Sequence, residues 1–563
     1  MGVTLCTTPT RVVVKGTPFD HKEILKAIAG ARWDRDFRAW TYPLSPSILP
    51  ALLSLYPSAE VDKGIKNLME ASRRMQLALS SKSSSKDSLP PIQSRLSPWE
   101  HQLQSYHFAR HLLNLGGRPI GGGVLLGLDM GTGKTKVIYD LIQNNSELRT
   151  ILVMCPKSVI DTWEDERTKH QLEDITIRSL LLGDQETRSG KPKQWPVKKR
   201  TEAARRFLSL HSPEVCTRIV VINHESAWRE PFRTFVRERI WDLLVVDECH
   251  RAKAPGGKFS MFLAASTGVF ACRAGLTGTP MPKDPLDIYA QARFLDPGVF
   301  GTSYTKFKAR YGVFGGFENR KLLRLQNEEE FQQKLDTIMI RVKSDDVLDL
   351  PEQIHESRFS ALSAEEYSAY HSMKETLLAD LGSGVVTAAN ALVRLLRLQQ
   401  IVQGTVRDDN GREVRIGNSK QLLLQDMLED LPASEPVVVF ARFSDDLVRV
   451  HETCESIGRG SLELSGTANQ LASWKNGDAP ILAVQYQAGG VGVDLSRSRY
   501  TIYYSPTFDM GAYEQSVKRT HRPGQTRTTF YYHLQAKGTI DVDIARALRD
   551  KKKTVEAVLG GLT

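Results

Sequence analysis

The sequence predicts an α/β protein with two parallel-sheet lobes and helical insertions, preceded by a small α+β module. Three observations carry this. Short, nearly continuous apolar runs alternate with helical stretches up to residue 299, and the alternation resumes from residue 416, as expected of strands covered by helices on both faces. Between the two stretches, residues 300–415 turn helical and charged. Ahead of both, residues 11–62 mix a strand, a helix and a cluster of aromatic side chains.

Composition bounds the rest. A chain of 563 residues is too long for one core, and 41% hydrophobic, 8% aromatic and 25% charged residues describe an ordinary globular protein. No apolar run approaches the roughly 20 residues that span a bilayer. Nor does the stretch Met1–Thr10 carry a basic segment followed by an apolar signal core. Six cysteines (Cys6, Cys155, Cys216, Cys249, Cys272, Cys454) show no metal-ligand spacing, which predicts reduced structural thiols and no zinc site. A membrane partner is not expected. The 75 Lys and Arg exceed the 65 Asp and Glu by 10, and residues 1–99 hold 14 against 8, so +6 of that excess lies in the first sixth of the chain. Basicity concentrated there suits an anionic polymer.

Residues 1–79 are assigned to the small module, with Arg11–Lys15 as a strand and His21–Ala29 as a helix. In Ala31–Pro43, Trp33, Phe37, Trp40 and Tyr42 interleave with Arg32, Arg35 and Arg38. Such a hairpin could stack bases and contact phosphates, with Trp33, Arg38 and Trp40 as DNA-contact candidates, or its aromatics could form the module's core. Residues 80–95 are serine-rich, end in two prolines early in the run Leu89–Ile92, and read as a flexible linker. The first lobe is placed at 96–299. It opens on a helix starting at Ser97–Pro98 and carrying Gln102, whose amide matches N6 and N7 of adenine.

The apolar run Gly123–Leu126, a glycine-bearing turn, and the helical period of Lys136–Ile142 give strand, loop and helix in order. A loop of this kind aims backbone N–H groups and a helix N-terminus at a polyphosphate. Asp129, Met130, Gly131, Thr132 and Gly133 would cradle it, Lys134 would reach the terminal phosphates, and Thr135 would place a hydroxyl on Mg²⁺. The generic GxxxxGK(S/T) pattern asks for glycine at position 128, where this chain has Leu128. Further strands are expected at Thr150–Pro156, Arg218–Asn223 and Trp241–Val246. The last runs into Asp247-Glu-Cys-His250, beyond a strand's carboxyl end, where open α/β sheets bind ligands. Asp247 suits Mg²⁺ and Glu248 suits activation of an attacking water, with His250 grouped in the same site. Leu276-Thr-Gly-Thr-Pro280 follows, with hydroxyls suited to sensing the nucleotide.

The second lobe, placed at 416–537, has expected strands at Pro436–Phe440, Ile481–Val484 and Tyr500–Tyr504. In Gln487–Leu495, Gly489 and Gly490 permit close backbone approach to phosphates. Gln515-Ser-Val-Lys-Arg-Thr-His-Arg-Pro-Gly-Gln525 then offers Arg519 and Arg522, whose guanidinium groups stay charged and bind phosphate oxygens bidentately.

Gln102, the phosphate loop, the Asp247–His250 box and Leu276–Pro280 together resemble the superfamily-2 helicase motor. More specifically they are similar to its Swi/Snf-type branch, whose phosphate loop also lacks the first glycine, which accounts for Leu128. Val153–Ser158 followed by Trp163 and Glu166 resembles that branch's DNA-facing element, making Lys157 and Ser158 contact candidates. Leu295–Pro297 matches its F-L-D-P segment, and Arg341–Lys343 with Asp349–Pro351 resembles the lead toward the second lobe. The resemblance implies two RecA-like lobes using ATP and Mg²⁺, with catalytic roles for Lys134, Asp247, Glu248 and the finger arginines Arg519 and Arg522. It also implies helical protrusions over 300–415, a brace helix over 538–563, and Arg442 among the DNA contacts. Ala31–Pro43 with its preceding helix resembles the HARP module of annealing helicases. Basic residues Arg188, Lys191, Lys193, Lys198, Lys199, Arg200, Arg205 and Arg206 around Trp195 are a further DNA-contact candidate, and Arg394 and Arg397 lie on the protrusion helix.

The function so implied is a monomeric, ATP-dependent translocase on duplex or forked DNA, largely sequence-independent, that remodels or reanneals branches without necessarily unwinding them. A motor that displaces proteins such as RNA polymerase from DNA is the alternative, and a nucleotide-dependent DNA-binding scaffold is the non-enzymatic one. The expected setting is a bacterial or viral-host cytoplasm.

Overall fold

The module's strands are β1 (Thr4–Thr7), β2 (Arg11–Lys15), β3 (Arg32–Asp34), β4 (Ala39–Pro43) and β5 (Glu60–Val61). In the computed structural model, which describes residues 2–115, 122–180, 182–186, 192–209, 217–282, 284–315, 321–382, 388–407, 413–489 and 493–560, they pair in the order β3-β4-β2-β1-β5. Helices α1 (Lys22–Ala27), α2 (Leu49–Leu55) and α3 (Lys63–Ser81) complete it. Period-two burial puts Val12 and Val14 on one face, where Leu5, Leu25, Trp40 and Tyr42 close a separate core. Asp62 starts α3, its carboxylate accepting the N–H groups of Ile65 and Thr7 at 2.7 Å each.

The chain divides into two compact units, Met1–Val347 with Val555–Thr563, and Leu348–Thr554. In the first unit, the module is seated on the first lobe at two seams. At one, Ala78 of α3 enters the lobe's core, and Lys82 donates to the side chain and carbonyl of Asp336 at 2.5 and 2.9 Å. The serine-rich segment read as a flexible linker continues along this side under hydrogen bonds. Gln104 donates to the Ser84 carbonyl at 2.9 Å, the Gln93 N–H donates to Asn144 at 2.9 Å, and Ser94 donates to Asp140 at 2.7 Å. At the other seam, Ser47 Oγ donates to Asp296 Oδ2 at 2.6 Å. There Gly301 (φ +78°) approaches so closely that a Cβ would stand 2.9 Å from the Gly30 nitrogen.

The first lobe contributes α4 (Glu100–Leu112), β6 (Gly122–Leu128), α5 (Lys134–Gln143), β7 (Thr150–Cys155), β8 (Ile175–Ser179), β9 (Thr217–Asn223), β10 (Trp241–Asp247), β11 (Phe270–Leu276), α6 (Ile288–Leu295), α7 (Pro297–Phe300) and β12 (Met339–Val342). Its seven strands run parallel in the order β12-β6-β11-β10-β7-β9-β8. Successive residues feed two cores: Leu126, Ile151, Val153, Leu243 and Val245 face one way, and Leu125, Leu152, Leu244 and Val246 the other. That two-sided burial is why these strands read as continuous apolar runs.

The second unit repeats the plan with β13 (Gln353–Ser360), α8 (Ala364–Gly382), α9 (Ala388–Val402), β14 (Val437–Ala441), β15 (Ser461–Leu464), β16 (Ile481–Gln485), β17 (Tyr500–Tyr503), α10 (Met510–Thr520), β18 (Thr529–Ala536) and the greater part of α11 (Ile540–Gly560). Its six-stranded sheet is parallel throughout, in the order β13-β18-β17-β14-β16-β15. A fully buried Lys420–Asp541 ion pair at 2.8 Å ties the lobe to the first turn of α11. The architecture is thus two parallel-sheet, RecA-like lobes with helical insertions behind a small mixed module. No helix among the described residues is long and apolar enough to cross a membrane.

Seating of the module on the lobe is testable at Gly301. Alanine there must adopt a left-handed backbone and press its Cβ on Gly30, so Gly301→Ala is expected to destabilise the first unit by about 1–3 kcal/mol. Urea unfolding of the purified chain reads this, and an unshifted first transition would contradict the seam.

Candidate functional site

Sheet order and register bring three loops to one place. β6, β11 and β10 are neighbours, with Leu126 opposite Leu276 and Leu276 opposite Asp247. Their carboxyl ends therefore leave the sheet in one row, and the phosphate loop, Leu276–Pro280 and Asp247–His250 emerge side by side.

The phosphate loop turns on Gly131 (φ +83°) and Gly133 (φ +91°), the latter being the N-cap of α5. It is braced from α4. His101 Nε2 and Gln102 Nε2 lie 2.9 and 3.0 Å from the Thr132 carbonyl, while Gln102 Oε1 accepts the Trp99 N–H at 3.0 Å. Both ends of the Gln102 amide are therefore engaged, and in this conformation it holds the loop instead of presenting a free edge to a purine. Thr132 is fully buried and donates to the Asp129 carbonyl at 2.7 Å. Asp129 in turn accepts the Ser344 N–H and hydroxyl at 3.2 Å each, fastening the loop to the chain after β12. Lys134 Nζ donates back to the carbonyls of Leu128 (2.9 Å) and Asp129 (3.3 Å). Met130 and Thr135 are half-buried and Gly131 is exposed at the loop's tip.

At the end of β10, Asp247, Glu248 and His250 are all buried. Glu248 stands in the left-handed region (φ +50°, ψ +48°), a conformation that is costly for a residue with a Cβ and is found where surroundings impose it. Its N–H donates to Asp247 Oδ1 at 3.0 Å. His250 Nδ1 lies 3.2 Å from Glu248 Oε2 and 2.9 Å from Thr277 Oγ1, so the acid box and the following loop are joined directly. Burial, and next the neighbouring Glu248 carboxylate, push the Asp247 carboxyl well above the usual range, while Lys134 pulls it back. Sequence reasoning had no signal for His224, a fully buried ring whose Nε2 sits 2.8 Å from the Asp247 carbonyl and 3.2 Å from that of Met154. Burial lowers this imidazole to about 4, so it remains neutral and braces two strand ends.

In the second unit, α10 carries Arg519, which is buried with Nη1 3.4 Å from the Val493 carbonyl. Arg522 follows the helix, its Nε 3.8 Å from Asp494. The two arginines therefore meet the segment that contains the glycine-rich stretch. Gly489 ends a short helix, and Gly490 lies outside the described residues. Arg442 is half-buried, with its guanidinium over the rings of Phe443 and Phe508.

The module's aromatics split in two. Pairing of β3 with β4 sets Trp33 opposite Trp40. Trp40 is buried, as is Tyr42, whose hydroxyl donates to the Leu25 carbonyl at 2.9 Å. Trp40 is thus a core residue, whereas Trp33 (49% exposed) and Phe37 (46%) remain at the surface beside exposed Arg32, Arg35 and Arg38. Lys157 is exposed just beyond β7, on the short turn that also contains Ser158. Of the basic cluster around Trp195, Arg200 is structural, donating to Asn223 and Ser226 at 2.6 and 2.8 Å. Lys198, Lys199, Arg205 and Arg206 are exposed, with Arg205 paired to Glu238. Arg188 and Lys191 lie outside the described residues, Arg394 belongs to α9 and Arg397 bonds Gln400 on the same helix.

The tightness of the loop gives a direct test. A Cβ on Gly133 would overlap Gln102 Nε2 and strain a left-handed backbone. Gly133→Ala is expected to weaken binding of a fluorescent ATP analogue by at least about fivefold, which corresponds to the ~1 kcal/mol lower end of such strain. Unchanged affinity would show that the loop does not set it.

Among known proteins, the SNF2-related domain model matches residues 58–405 and the helicase conserved C-terminal domain model matches residues 419–524. Protein p41 of Acyrthosiphon pisum secondary endosymbiont phage 1 is 25% identical over 82% of this chain and 97% of its own length. DNA repair protein rhp54 of Schizosaccharomyces pombe is 23% identical over 82% of this chain, which spans only 58% of that relative. The Sulfolobus solfataricus SWI2/SNF2 ATPase core in complex with dsDNA is 22% identical, covering 84% of this chain and 94% of that one at a TM-score of 0.38. With the SNF2-related model spanning more than half of its length and the three loops assembled in one row, this chain belongs to the SNF2-related family of ATP-hydrolysing motors.

Proposed function

We propose that the protein is an ATP-driven translocase on duplex DNA that remodels or reanneals forked DNA, acting in a bacterial or viral-host cytoplasm. The observation that carries the reading is the row formed by the phosphate loop, Leu276–Pro280 and Asp247–His250 at the ends of three adjacent strands. The residues fit a Mg²⁺–nucleotide. Two buried carboxylates lie within electrostatic reach of one lysine, beside a loop that turns on two left-handed glycines. Among the described residues no cluster of three or more His, Cys, Asp or Glu forms a cage. A Mg²⁺ ion would be held by Asp247, the Thr135 hydroxyl and phosphate oxygens.

When bound, Mg²⁺ supplies neutralisation of the developing phosphate charge. Lys134 exchanges its own loop carbonyls for phosphate oxygens. Glu248 takes the proton of the attacking water, oriented by His250 and Thr277. Arg519 and Arg522 serve the same reaction from the second lobe, so turnover needs both lobes. Trp33 and Phe37 with Arg32, Arg35 and Arg38 make a surface that stacks bases and holds phosphates, and its likeness to the HARP module favours a branched substrate. Lys157 and Arg442 are assigned to the duplex track.

ATPase rates on single-stranded, duplex and forked DNA side by side test this. Duplex or fork is expected to stimulate turnover, and Lys134→Ala and Glu248→Gln to lower kcat at least about 100-fold. Equal rates with and without nucleic acid would sink the translocase reading. Separately, Trp33→Ala with Phe37→Ala is expected to weaken fork binding by about 1–3 kcal/mol per lost stack at fixed salt. Duplex-stimulated ATPase should persist, and unaltered fork affinity would remove the module from the DNA surface.

A further inference from the structure

One polar side chain beside the acid box has no part in the chemistry above. Gln291 lies on α6, in the stretch Ile288-Tyr-Ala-Gln-Ala-Arg-Phe-Leu295, and is completely buried. Its Oε1 accepts the Cys249 thiol at 3.3 Å. Its Nε2 donates to the Pro280 carbonyl at 2.6 Å and to the Asp287 carbonyl at 3.3 Å. Cys249 directly follows Glu248 and is itself fully buried, packed so that a Cβ on Gly275 would stand 3.0 Å from its sulfur. One amide therefore joins the acid box to the far end of the Leu276–Pro280 loop.

We propose that Gln291 is a positioning residue for Glu248, holding the left-handed turn on which Glu248 stands and fixing it to the Leu276–Pro280 loop. The geometry calls for this residue type. Glu248 occupies a backbone region that relaxes unless it is restrained on both sides. On its amino side the restraint is the Asp247 carboxylate on the Glu248 N–H; on its carboxyl side, the Arg251 N–H bonds the Glu248 carbonyl at 3.0 Å and Cys249 is fixed by Gln291. Only a side chain with an acceptor and a donor on one rigid group can bridge a thiol and a carbonyl. Leucine or methionine bonds neither partner, glutamate offers no donor to Pro280, and asparagine is a methylene too short. His250–Thr277 is the direct tie between the same two loops, and the Cys249–Gln291–Pro280 bridge is a second one, so Glu248 is clamped from two directions.

The inference rests on the reading of Glu248 as the base, and Glu248→Gln tests that reading separately. The full chain is assayed with forked DNA for kcat and KM of ATP hydrolysis, for affinity toward a fluorescent ATP analogue, and for thermal midpoint. Gln291→Met, near in volume and bonding neither partner, is expected to lower kcat about 10- to 100-fold, the effect of misplacing a catalytic group by an ångström or less. Nucleotide affinity should stay within about twofold, because the phosphate loop is braced independently by His101 and Gln102. Should Gln291→Met fail to fold, Cys249→Ala removes only the thiol donor and is expected to lower kcat in the same sense. Cys249→Ser, which keeps a donor, should then be several-fold faster than Cys249→Ala. A full kcat in folded Gln291→Met and in Cys249→Ala, or a parallel loss of nucleotide affinity and kcat, overturns the proposal. If Glu248→Gln itself retains turnover, the assignment of the base fails instead.

Discussion

Two carboxylates placed next to each other almost out of contact with water are the arrangement on which the first lobe depends. Asp247 and Glu248 are each about 6% exposed, and burial already drives the Asp247 proton affinity upward before Glu248 adds its own charge. A pair of this kind is destabilising unless positive charge and hydrogen-bond donors face it. Lys134 is the positive charge, and it stands there only because β6 and β10 flank the same strand, β11, and end level with it. The parallel order of the sheet is thus an electrostatic requirement of the site as well as a packing solution.

Helix α6 gathers what surrounds that pair. Near its middle, Gln291 bonds both loops; at its end, the Leu295 carbonyl accepts the buried Arg273 guanidinium at 2.8 Å, and Asp296 caps α7 and receives the Ser47 hydroxyl from the module. The Leu295–Pro297 segment is therefore a structural joint. It finishes the helix, starts the next one and seats the amino-terminal module. A small domain with its own core is thus docked, through side-chain hydrogen bonds and a glycine-to-glycine approach, on the lobe that carries the phosphate loop and the acid box.

What the sequence disclosed and what it concealed follow from how local each interaction is. The phosphate loop and the acid box were legible because their chemistry sits within a few residues at the end of an apolar run, and the buried strands β7, β9, β10 and β14 were legible because both faces are covered. Strands β8 and β13 escaped notice: they lie at sheet edges, and polar residues such as Thr176, Arg178, His355 and Glu356 break the apolar run. The bond from Gln102 to the phosphate loop was not legible because its acceptor, the Thr132 carbonyl, is 30 residues away and carries no side-chain signature. The aromatic cluster looked uniform in one dimension, and strand pairing sorted it, turning Trp40 and Tyr42 inward while Trp33 and Phe37 kept solvent. Gln291 did leave a trace, as the one uncharged amide in an otherwise apolar helix with a single arginine, but without the fold nothing tied it to Cys249.

The two arginines of the second lobe, alike in the motif, are not alike in the structure. Arg519 is 2% exposed and lies against the Val493 carbonyl, while its own carbonyl accepts the Leu495 N–H at 3.0 Å. It is built into the lobe and fixes the segment after the glycine-rich stretch. Arg522 lies past the end of α10, keeps 29% of its side chain in solvent and is restrained by a 3.8 Å pair with Asp494. A half-buried, weakly held guanidinium can swap one carboxylate for a phosphate oxygen at less expense than a fully buried one, which must first abandon the contacts that shape its surroundings. The motif thus sets one arginine deep in the lobe, against the segment after the glycine-rich stretch, and the other nearer its surface beside Asp494.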